Sequence, residues 1–206
     1  MSAGQVHGST LAVVDKTSQD LIDGADALIT STPEIVLLMV FADCVPIFFA
    51  DPIQRAVGLA HSGWRGTAAN VAGKTARRIM GEFDCDRSNL FAAIGPSISA
   101  ERYTVDIEVV KALTDAWPGG SSTPILPTSE FRSQFQINLR LIVFDQLVDA
   151  GVLPENISVC DECTFRNKKD FFSHRRDAET LGGTGRMAGM IALAPSASGA
   201  EWPGRD

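Results

Sequence analysis

The sequence predicts a mixed α/β fold in a single domain, with a system of β-sheets covered by helices. Short apolar runs bounded by prolines and acids indicate buried strands, and three longer segments carry the apolar stripe of amphipathic helices. The chain has 206 residues, of which 45% are hydrophobic and 21% are charged. That length and composition are typical of one globular domain with a sizeable core.

Eight segments are predicted to be strands. The three continuous apolar runs in the first third, residues 35–41, 45–50 and 56–61, are expected to be buried on both faces, as in the centre of a sheet. In chain order the predicted strands are Leu11–Val14, Ala27–Thr30, Ile35–Phe41, Val45–Ala50, Ala56–His61, Leu90–Ile94, Ile157–Val159 and Met187–Leu193.

Three segments are predicted to be helices, at Thr67–Gly81, Asp106–Trp117 and Asn138–Ala150. Thr67 is expected to cap the first helix and Gly81 to end it, while Asn138 caps the third. Gly119–Ser129 reads as a surface loop because it is rich in glycine, serine and proline. The domain is expected to span residues 1–194, and residues 195–206 read as a flexible tail.

Charge and hydropathy exclude several classes of partner. The net charge of −7 and the pI near 4.9 disfavour a nucleic-acid backbone as partner. The longest apolar run, Ile35–Ala42, is well short of the roughly 20 residues that a membrane span needs. The first ten residues lack the pattern of a secretory signal, and four cysteines are too sparse for a disulfide scaffold. We therefore expect a cytoplasmic protein with reduced thiols.

The candidate metal ligands are His7, Cys44 and His61. Imidazole nitrogens and a thiolate are ligands that suit zinc, and three protein ligands leave the fourth tetrahedral position open, as in catalytic sites. Cys44 could instead be a nucleophile, but the neighbouring Asp43 disfavours a free thiolate, so metal ligation is the better account. Asp43 is expected either to orient a histidine or to act as an acid–base group.

A candidate anion site follows the strand that ends in His61. Arg65, Gly66 and Thr67 stand where a strand turns into a helix, a junction that can hold phosphate through backbone N–H groups and a guanidinium. Arg175 and Arg176 add further guanidinium groups that suit oxyanions. The alternative for them is an internal salt bridge with Asp177.

Cys160 and Cys163 have the spacing of half a zinc ribbon or of a redox pair, but the sequence holds no second such pair. Cys163 is therefore predicted to be a buried structural thiol. The Pro-Cys-x-x-Cys element of zinc deaminases that act on nucleobases is missing, because Val159 precedes Cys160.

Six motifs together resemble the YfiH family, also called the laccase-domain or polyphenol-oxidase-like family. They are QVHG, ADCVPI, HSGWRGT, IGPSIS, CT…FFSHRRD and GTGRMAGMIAL, in the family's order over nearly the whole chain. The resemblance implies a mixed α/β fold with sheets sandwiched between helices. It also implies a zinc ion held by His7, Cys44 and His61.

The activities implied are phosphorolysis of adenosine, inosine and methylthioadenosine, and hydrolytic deamination of adenosine. We expect Cys44, Asp43 and Arg65 to carry catalysis and Arg65, Gly66, Thr67, Arg175 and Arg176 to bind substrate or phosphate. A monomer that binds a purine nucleoside, phosphate and zinc (with copper possible) is expected. The alternatives are a copper polyphenol oxidase, a cysteine hydrolase acting on peptidoglycan precursors, and a non-enzymatic binding protein.

The sequence departs from the family's pattern at two places. Members usually carry some tens of residues before the QVHG element, including GG-x-S and Asn-Leu signatures, whereas His7 lies almost at the start here. The domain is expected to lack the family's N-terminal segment, either because the start of the sequence is truncated or because this form lacks one wall of the pocket. The family also often has tyrosine where this chain has His174, so His174 is not expected to be a general catalytic group.

Overall fold

A computed structural model describes residues 1–119, 124–127 and 134–195 of the chain. Within these residues the chain forms three β-sheets and five α-helices. The mixed α/β fold class predicted from the sequence is confirmed. None of the helices in this part of the chain is long and apolar enough to cross a bilayer.

The largest sheet has six strands in the order β12-β8-β6-β7-β4-β2. These strands are β2 (Leu11–Val13), β4 (Ala27–Thr30), β6 (Val45–Asp51), β7 (Ala56–Ser62), β8 (Phe91–Ile94) and β12 (Ile157–Val159). The antiparallel pair β6–β7 forms the centre, and its residues are almost all buried, as predicted. This pairing positions the site, because Cys44 directly precedes β6 and His61 lies near the end of β7.

A second sheet has four strands in the order β13-β5-β1-β3, with β1 parallel to both of its neighbours. Its strands are β1 (Ser2–Ala3), β3 (Leu21–Ile22), β5 (Val36–Phe41) and β13 (Met187–Ala192). The prediction that β5 is buried on both faces is wrong, since Val36 and Val40 are 45% and 37% exposed. The reason is that only one face of β5 packs against another layer.

The six-stranded sheet is covered differently on its two faces. On one face Leu28 and Leu59 share an apolar cluster with Leu37, Met39 and Phe41 of β5. On the other face the core residues of the sheet pack with those of the helices. Burial of these clusters removes apolar area from water at roughly 25 cal/mol per Å² and is the main stabilising contribution.

The third sheet is small, with strands in the order β10-β11-β9. Its strands are β9 (Thr104–Asp106), β10 (Ile125–Pro127) and β11 (Gln134–Ile137). The predicted loop Gly119–Ser129 is therefore wrong at β10, an edge strand where a proline is tolerated. Residues 120–123 and 128–129 of that predicted loop lie outside the described residues.

The helices are α1 (Trp64–Ala68), α2 (Val71–Glu82), α3 (Ile107–Ala116), α4 (Leu139–Asp149) and α5 (His174–Leu181). The helix predicted at 67–81 is thus two helices. The break lies at Asn70, whose backbone is left-handed with φ 55° and whose side chain accepts from the Gly73 N–H, capping α2. Thr67 is therefore not a helix cap, and Gly81 lies inside α2 rather than after it.

The other two predicted helices are confirmed within one residue at each end. The Asn138 side chain accepts from the Leu141 N–H at 3.2 Å, so the predicted cap of α4 is confirmed. Helix α5 was not predicted, although Ser173 caps it by accepting from the Arg176 N–H. Residues 196–206 of the predicted tail lie outside the described part of the chain.

Candidate metal and anion site

The three predicted metal ligands lie together at one end of the β6–β7 pair. Because Pro46 pairs with His61 in the antiparallel register, Cys44 at the start of β6 lies beside the end of β7. His7 reaches the same place from the segment between β1 and β2. One ligand atom from each of the three residues lies within 4.8 Å of the others. Two imidazoles and a thiol in this arrangement suit zinc, with room for a fourth ligand.

Gly63 has no side chain, and this leaves the space that Cys44 and His7 occupy. A Cβ atom at this position would lie 2.9 Å from the Cys44 Sγ and 3.1 Å from the His7 Cδ2. The two imidazole rings meet edge to face, with centroids 4.9 Å apart and an interplanar angle of 77°. The first glycine of the Gly-Trp-Arg-Gly turn is therefore required by close packing at the ligand cluster.

A buried carboxylate that sequence reasoning missed, Asp26, contacts two of the ligand residues. Its Oδ1 accepts from His61 Nδ1 at 2.8 Å and from the His7 N–H at 3.0 Å. Its Oδ2 accepts from the Gly8 N–H at 2.6 Å and from the Val6 N–H at 3.2 Å. The available signal was an acid placed directly before the buried strand β4, where an unpaired charge would be costly.

The pKa values of these groups follow from their contacts. Burial raises the pKa of the Cys44 thiol, but hydrogen bonds with His61 and His7 outweigh it and bring the pKa below its ordinary value. Burial lowers the pKa of His61, but the bonds with Asp26 and Cys44 outweigh it and raise the pKa. Burial also raises the pKa of Asp26, and the bonds from His61 and Gly8 reverse this shift. The cluster therefore favours ionised forms of the thiol and the carboxyl.

Asp43, predicted to be catalytic or to orient a histidine, points to a different part of the chain. It is 8% exposed, and its Oδ1 accepts from the Thr164 hydroxyl at 2.6 Å. Its Oδ2 accepts from the Ser173 hydroxyl at 3.0 Å and from the Arg175 N–H at 2.7 Å. The histidine-orienting role is therefore wrong for Asp43, since Asp26 makes that contact. Its acid–base role stays a prediction, one that three accepted hydrogen bonds disfavour.

Two of the predicted anion-binding arginines, Arg65 and Arg175, line the cavity that contains the metal ligands. The Arg65 guanidinium lies 4.2 Å from the centroid of the Trp64 ring. The Arg175 guanidinium lies 5.2 Å from the Tyr103 ring centroid and donates to the Thr104 carbonyl at 2.8 Å. Each planar cation is thus held beside an aromatic face, which leaves other N–H groups for a ligand.

Gly66 and Thr67 do not contribute to the cavity wall formed by the described residues. Thr67 is fully buried, and its N–H and hydroxyl both donate to the Gly63 carbonyl. Gly66 is buried with its Cα close to the Gly8 carbonyl, where a Cβ would lie at 3.0 Å. Their phosphate role stays a prediction, one that the bonded N–H of Thr67 and the five-residue length of α1 disfavour.

Arg176 also lies away from the cavity. Its guanidinium donates to the carbonyls of Thr164, Phe165 and Phe171 and pairs with Asp177 at 2.7 Å. The alternative of an internal salt bridge with Asp177 is confirmed, and the phosphate role of Arg176 stays a prediction that these contacts disfavour. Its function is to tie together the segment before α5.

The cavity measures about 760 Å³, within the range of small-molecule sites. Polar groups of the ligand cluster and the arginines form one part of the wall, and His174 and Arg186 add to it. Apolar residues form another part of the wall: Ile98, Val105, Val109 and Leu139. Burial raises the pKa of Tyr103 above its usual range, so its phenol stays protonated.

The predicted structural role of Cys163 is confirmed. Its side chain is buried, and the sulfur accepts from the Ser99 N–H at 3.3 Å. Cys160 and Cys163 are both free thiols. The pair thus supports the loop before α5 and takes no part in the ligand cluster.

The motifs and this geometry agree with one protein family. The model of the family described as "Multi-copper polyphenol oxidoreductase laccase" matches residues 1–194. The chain belongs to this family. Among its relatives, the purine nucleoside phosphorylase YlmD of Geobacillus stearothermophilus is 40% identical over 195 residues, covering 91% of this chain and 69% of the relative. YlmD of Bacillus subtilis is 36% identical over 172 residues, covering 84% of this chain and 60% of the relative.

Solved structures of laccase-domain proteins share the fold. The crystal structure of YlmD from Geobacillus stearothermophilus superposes with a TM-score of 0.87 at 36% identity, covering 94% of this chain and 73% of that one. That of the Bacillus licheniformis protein YfiH superposes with a TM-score of 0.86 at 32% identity, covering 93% and 73%. The resemblance drawn from the sequence motifs is confirmed, and the chain spans 60% to 69% of the two YlmD relatives.

Proposed function

We propose that the cavity is the active site of a zinc-dependent purine nucleoside phosphorylase. One observation carries the proposal: Arg65, Arg175 and the His7–Cys44–His61 cluster line the same cavity, which has a volume suited to a nucleoside. Several relatives that match most of this chain are named purine nucleoside phosphorylases. The function therefore follows from an oxyanion site beside a metal-ligand cluster.

Zinc fits the donor set of His7, Cys44 and His61. Nitrogen and sulfur ligands select zinc over magnesium or calcium, which prefer oxygen. When bound, zinc would act as a Lewis acid and would polarise the purine or a water molecule. Three ligands from the protein leave one position for such a contact.

The proposed reaction is phosphorolysis of adenosine, inosine and methylthioadenosine. A phosphate oxygen forms a bond to the anomeric carbon of the ribose, and the bond from that carbon to the purine nitrogen breaks. The bonding electrons leave with the purine, which takes up a proton and departs as the free base. Arg65 and Arg175 would hold the phosphate by paired N–H contacts and position it for attack.

The apolar part of the wall suits the purine. Val105, Val109 and Leu139 provide a dry surface against which a flat heterocycle can pack, and Tyr103 adds an aromatic face. Packing there would orient the ribose toward the arginines, because nucleoside sites combine an apolar wall with a few polar groups. Deamination of adenosine, with water in place of phosphate, is the second reaction that we propose for this cavity.

A product assay with adenosine, with and without phosphate, tests both reactions. Adenine that forms only with phosphate would support phosphorolysis, and inosine that forms in either case would support deamination. Cys44→Ala serves as the matched variant, since it removes one metal ligand. If folded, zinc-loaded protein forms neither adenine nor inosine, the proposal is overturned.

A second candidate function is a metal-free cysteine hydrolase acting on peptidoglycan precursors. One observation favours it: Cys44, His61 and Asp26 stand in the order nucleophile, base and orienting acid, with His61 Nδ1 bonded to Asp26 at 2.8 Å. Metal-free protein that loses all activity on alkylation of Cys44 would favour this candidate. Zinc near one per chain, lost in Cys44→Ala along with adenosine turnover, would favour the phosphorylase.

A copper polyphenol oxidase is disfavoured by composition. Multicopper oxidases need a blue-copper site and a histidine-rich cluster of three further coppers. The whole chain has three histidines, and His174 is not within the ligand cluster. Copper at the His7–Cys44–His61 cluster would be a substitute for zinc.

We further propose that the enzyme acts as a monomer in the cytoplasm.

A further inference from the structure

We propose that Asp26 is a positioning residue that holds two metal ligands, His7 and His61, in their binding geometry before the metal arrives. The inference rests on the zinc site of the proposed function. Asp26 is fully buried, lies outside the cavity wall formed by the described residues and accepts four hydrogen bonds. Two of these come from the ligand residues themselves.

The bond to His61 selects one tautomer of its ring. A carboxylate can only accept, so the contact at 2.8 Å requires the proton of His61 to be on Nδ1. A neutral ring protonated at Nδ1 has its free lone pair on Nε2, the nitrogen directed away from Asp26. Asp26 therefore keeps the proton on Nδ1, so the proton that leaves on metal binding is the one on Nε2, which then presents its lone pair to the metal.

The bonds to the backbone hold His7. This residue has a left-handed backbone with φ 60°, a conformation that costs free energy for a side chain with a Cβ. The N–H groups of Val6, His7 and Gly8 all converge on the Asp26 carboxylate, so one acid fixes three consecutive residues. This nest of amides compensates the buried charge and keeps the strained residue in place.

Gln5 supports the same segment from the other side. Its side-chain amide donates to the Val40 carbonyl and accepts from the Val40 N–H, each at 2.8 Å. The amide thus bonds the backbone of β5 in the way that a neighbouring strand would, at a point that β1 no longer reaches because it ends at Ala3. The His7 segment is held between Asp26 on one side and β5 on the other.

Asp26→Asn tests the inference because the change is almost isosteric. The asparagine offers one acceptor and one NH₂ group, so the NH₂ must face either His61 and His7 or Val6 and Gly8. The first orientation favours a His61 ring that accepts at Nδ1, and the second releases the His7 segment. We expect zinc affinity, measured by competition with a chromogenic chelator, to fall by about 10- to 100-fold.

The matched control is Asp51→Asn. Asp51 is also buried, and its Oδ1 accepts from the N–H groups of Ile53 and Gln54, which asparagine can still satisfy. Zinc affinity should stay within about twofold of the wild type in this control. Nitrogen-15 NMR of the metal-free proteins reports whether His61 Nδ1 carries a proton. In the wild type and in Asp51→Asn, His61 Nδ1 should carry the proton.

A second variant covers the case in which Asp26→Asn does not fold. Gln5→Met removes the two bonds to Val40 at a partly exposed position and should speed zinc release several-fold with little loss of stability. Zinc affinity that is unchanged in folded Asp26→Asn, or zinc release that is unchanged in Gln5→Met, would overturn the inference. A wild-type protein that binds no zinc would refute the metal site of the proposed function. In that case, the NMR measurement of the Nδ1 proton would still test whether Asp26 sets the tautomer of His61.

Discussion

Two buried carboxylates organise the two sides of the cavity, and they collect their partners from different distances along the chain. Asp26 binds backbone groups of Val6, His7 and Gly8 and the ring of His61, 18 to 35 residues away. Asp43 binds Thr164, Ser173 and Arg175, 121 to 132 residues away. The metal side is therefore assembled within the first third of the chain, and the arginine side is completed only by its last quarter.

This difference implies that the two sides can be perturbed separately. The metal ligands depend on the β6–β7 pair and on the segment that Asp26 holds. Arg175 depends on the start of α5, which is attached to the sheet through Asp43. Substitutions on one side should therefore alter metal affinity, and substitutions on the other should alter phosphate affinity. Contacts with no shared partner usually contribute independently.

The largest effect is expected from Cys44→Ser on the metal side. A serine hydroxyl is a much poorer zinc ligand than a thiolate, because it stays protonated near neutral pH. Zinc affinity should fall by more than the roughly 100-fold that loss of an outer partner costs. Chelator competition and metal analysis of the folded variant check this outcome.

Cys163→Ser is the matched control for that substitution. It exchanges another buried thiol, whose sulfur accepts from the Ser99 N–H, a bond that a hydroxyl can also make. Zinc content should be unchanged in this variant. Equal loss of zinc in both variants would mean that the metal is not held at the Cys44 cluster.

Asp43→Asn should separate the two sides most clearly. Asparagine tolerates the left-handed backbone of residue 43, where φ is 83°, so the turn before Cys44 can persist. The new NH₂ group would face at least one of the donors Thr164, Ser173 and Arg175, at a cost of about 1–3 kcal/mol in the free energy of unfolding. A shift of about 1 Å at Arg175 would raise the KM for phosphate by up to about 100-fold.

Steady-state kinetics at varied phosphate and chelator competition measure both sides of Asp43→Asn. We expect zinc affinity within about twofold of the wild type. Zinc loss that accompanies the change in KM would show that the metal and arginine sides are coupled through residue 43.

A smaller effect is expected from Arg175→Lys. Lysine cannot both reach the Thr104 carbonyl and present a planar fork to phosphate, as the Arg175 guanidinium does. The KM for phosphate should rise by about 10-fold, equivalent to about 1.4 kcal/mol, while zinc affinity stays constant. Kinetics at saturating nucleoside check this value.

Arg176→Lys is the neighbouring control. Its guanidinium binds the Thr164, Phe165 and Phe171 carbonyls, which one ammonium group cannot reach together. The free energy of unfolding should fall by about 1–3 kcal/mol. The KM for phosphate should rise less than in Arg175→Lys. A larger rise would return Arg176 to the phosphate site.

The candidate metal ligands could be predicted from sequence because metal-binding chemistry is restricted to few residue types. The chain has three histidines, of which His7 directly precedes a glycine and His61 lies two residues before one, so there were few candidates to weigh. Cys44 was distinguished by its place at the start of a buried strand. The strand assignments followed from short apolar runs, which in β6 and β7 are buried on both faces.

The partners of these residues could not be predicted, since they depend on distant contacts. The role of Asp26 requires knowing that β4 and β7 pair and that the His7 segment crosses their end. Arg175 and Arg176 are adjacent in sequence, yet only the fold shows that one lines the cavity and the other binds carbonyls. The break at Asn70 was missed because the apolar stripe continues across it.

The smallest effect concerns a second acid–thiol pair, Asp51 and Cys85, in which Asp51 lies at the opposite end of β6 from Cys44. Burial raises the pKa of Cys85 to about 12, and the hydrogen bond with Asp51 adds to this shift. Alkylation requires the thiolate, which forms only as pH rises through the pKa. At pH 8 the thiolate fraction of Cys85 should be about one thousandth of that of an ordinary thiol.

Mass spectrometry after iodoacetamide treatment of chelator-treated protein checks this prediction. Cys85 should stay unmodified from pH 7 to pH 9, whereas Cys44, beside two imidazoles, should be alkylated unless zinc is restored. Alkylation of Cys85 that follows the pH profile of an ordinary thiol would show that Asp51 does not act on it. The contrast then tests whether Cys44, which lines the cavity beside two imidazoles, is more reactive than Cys85, which is buried beside a carboxylate.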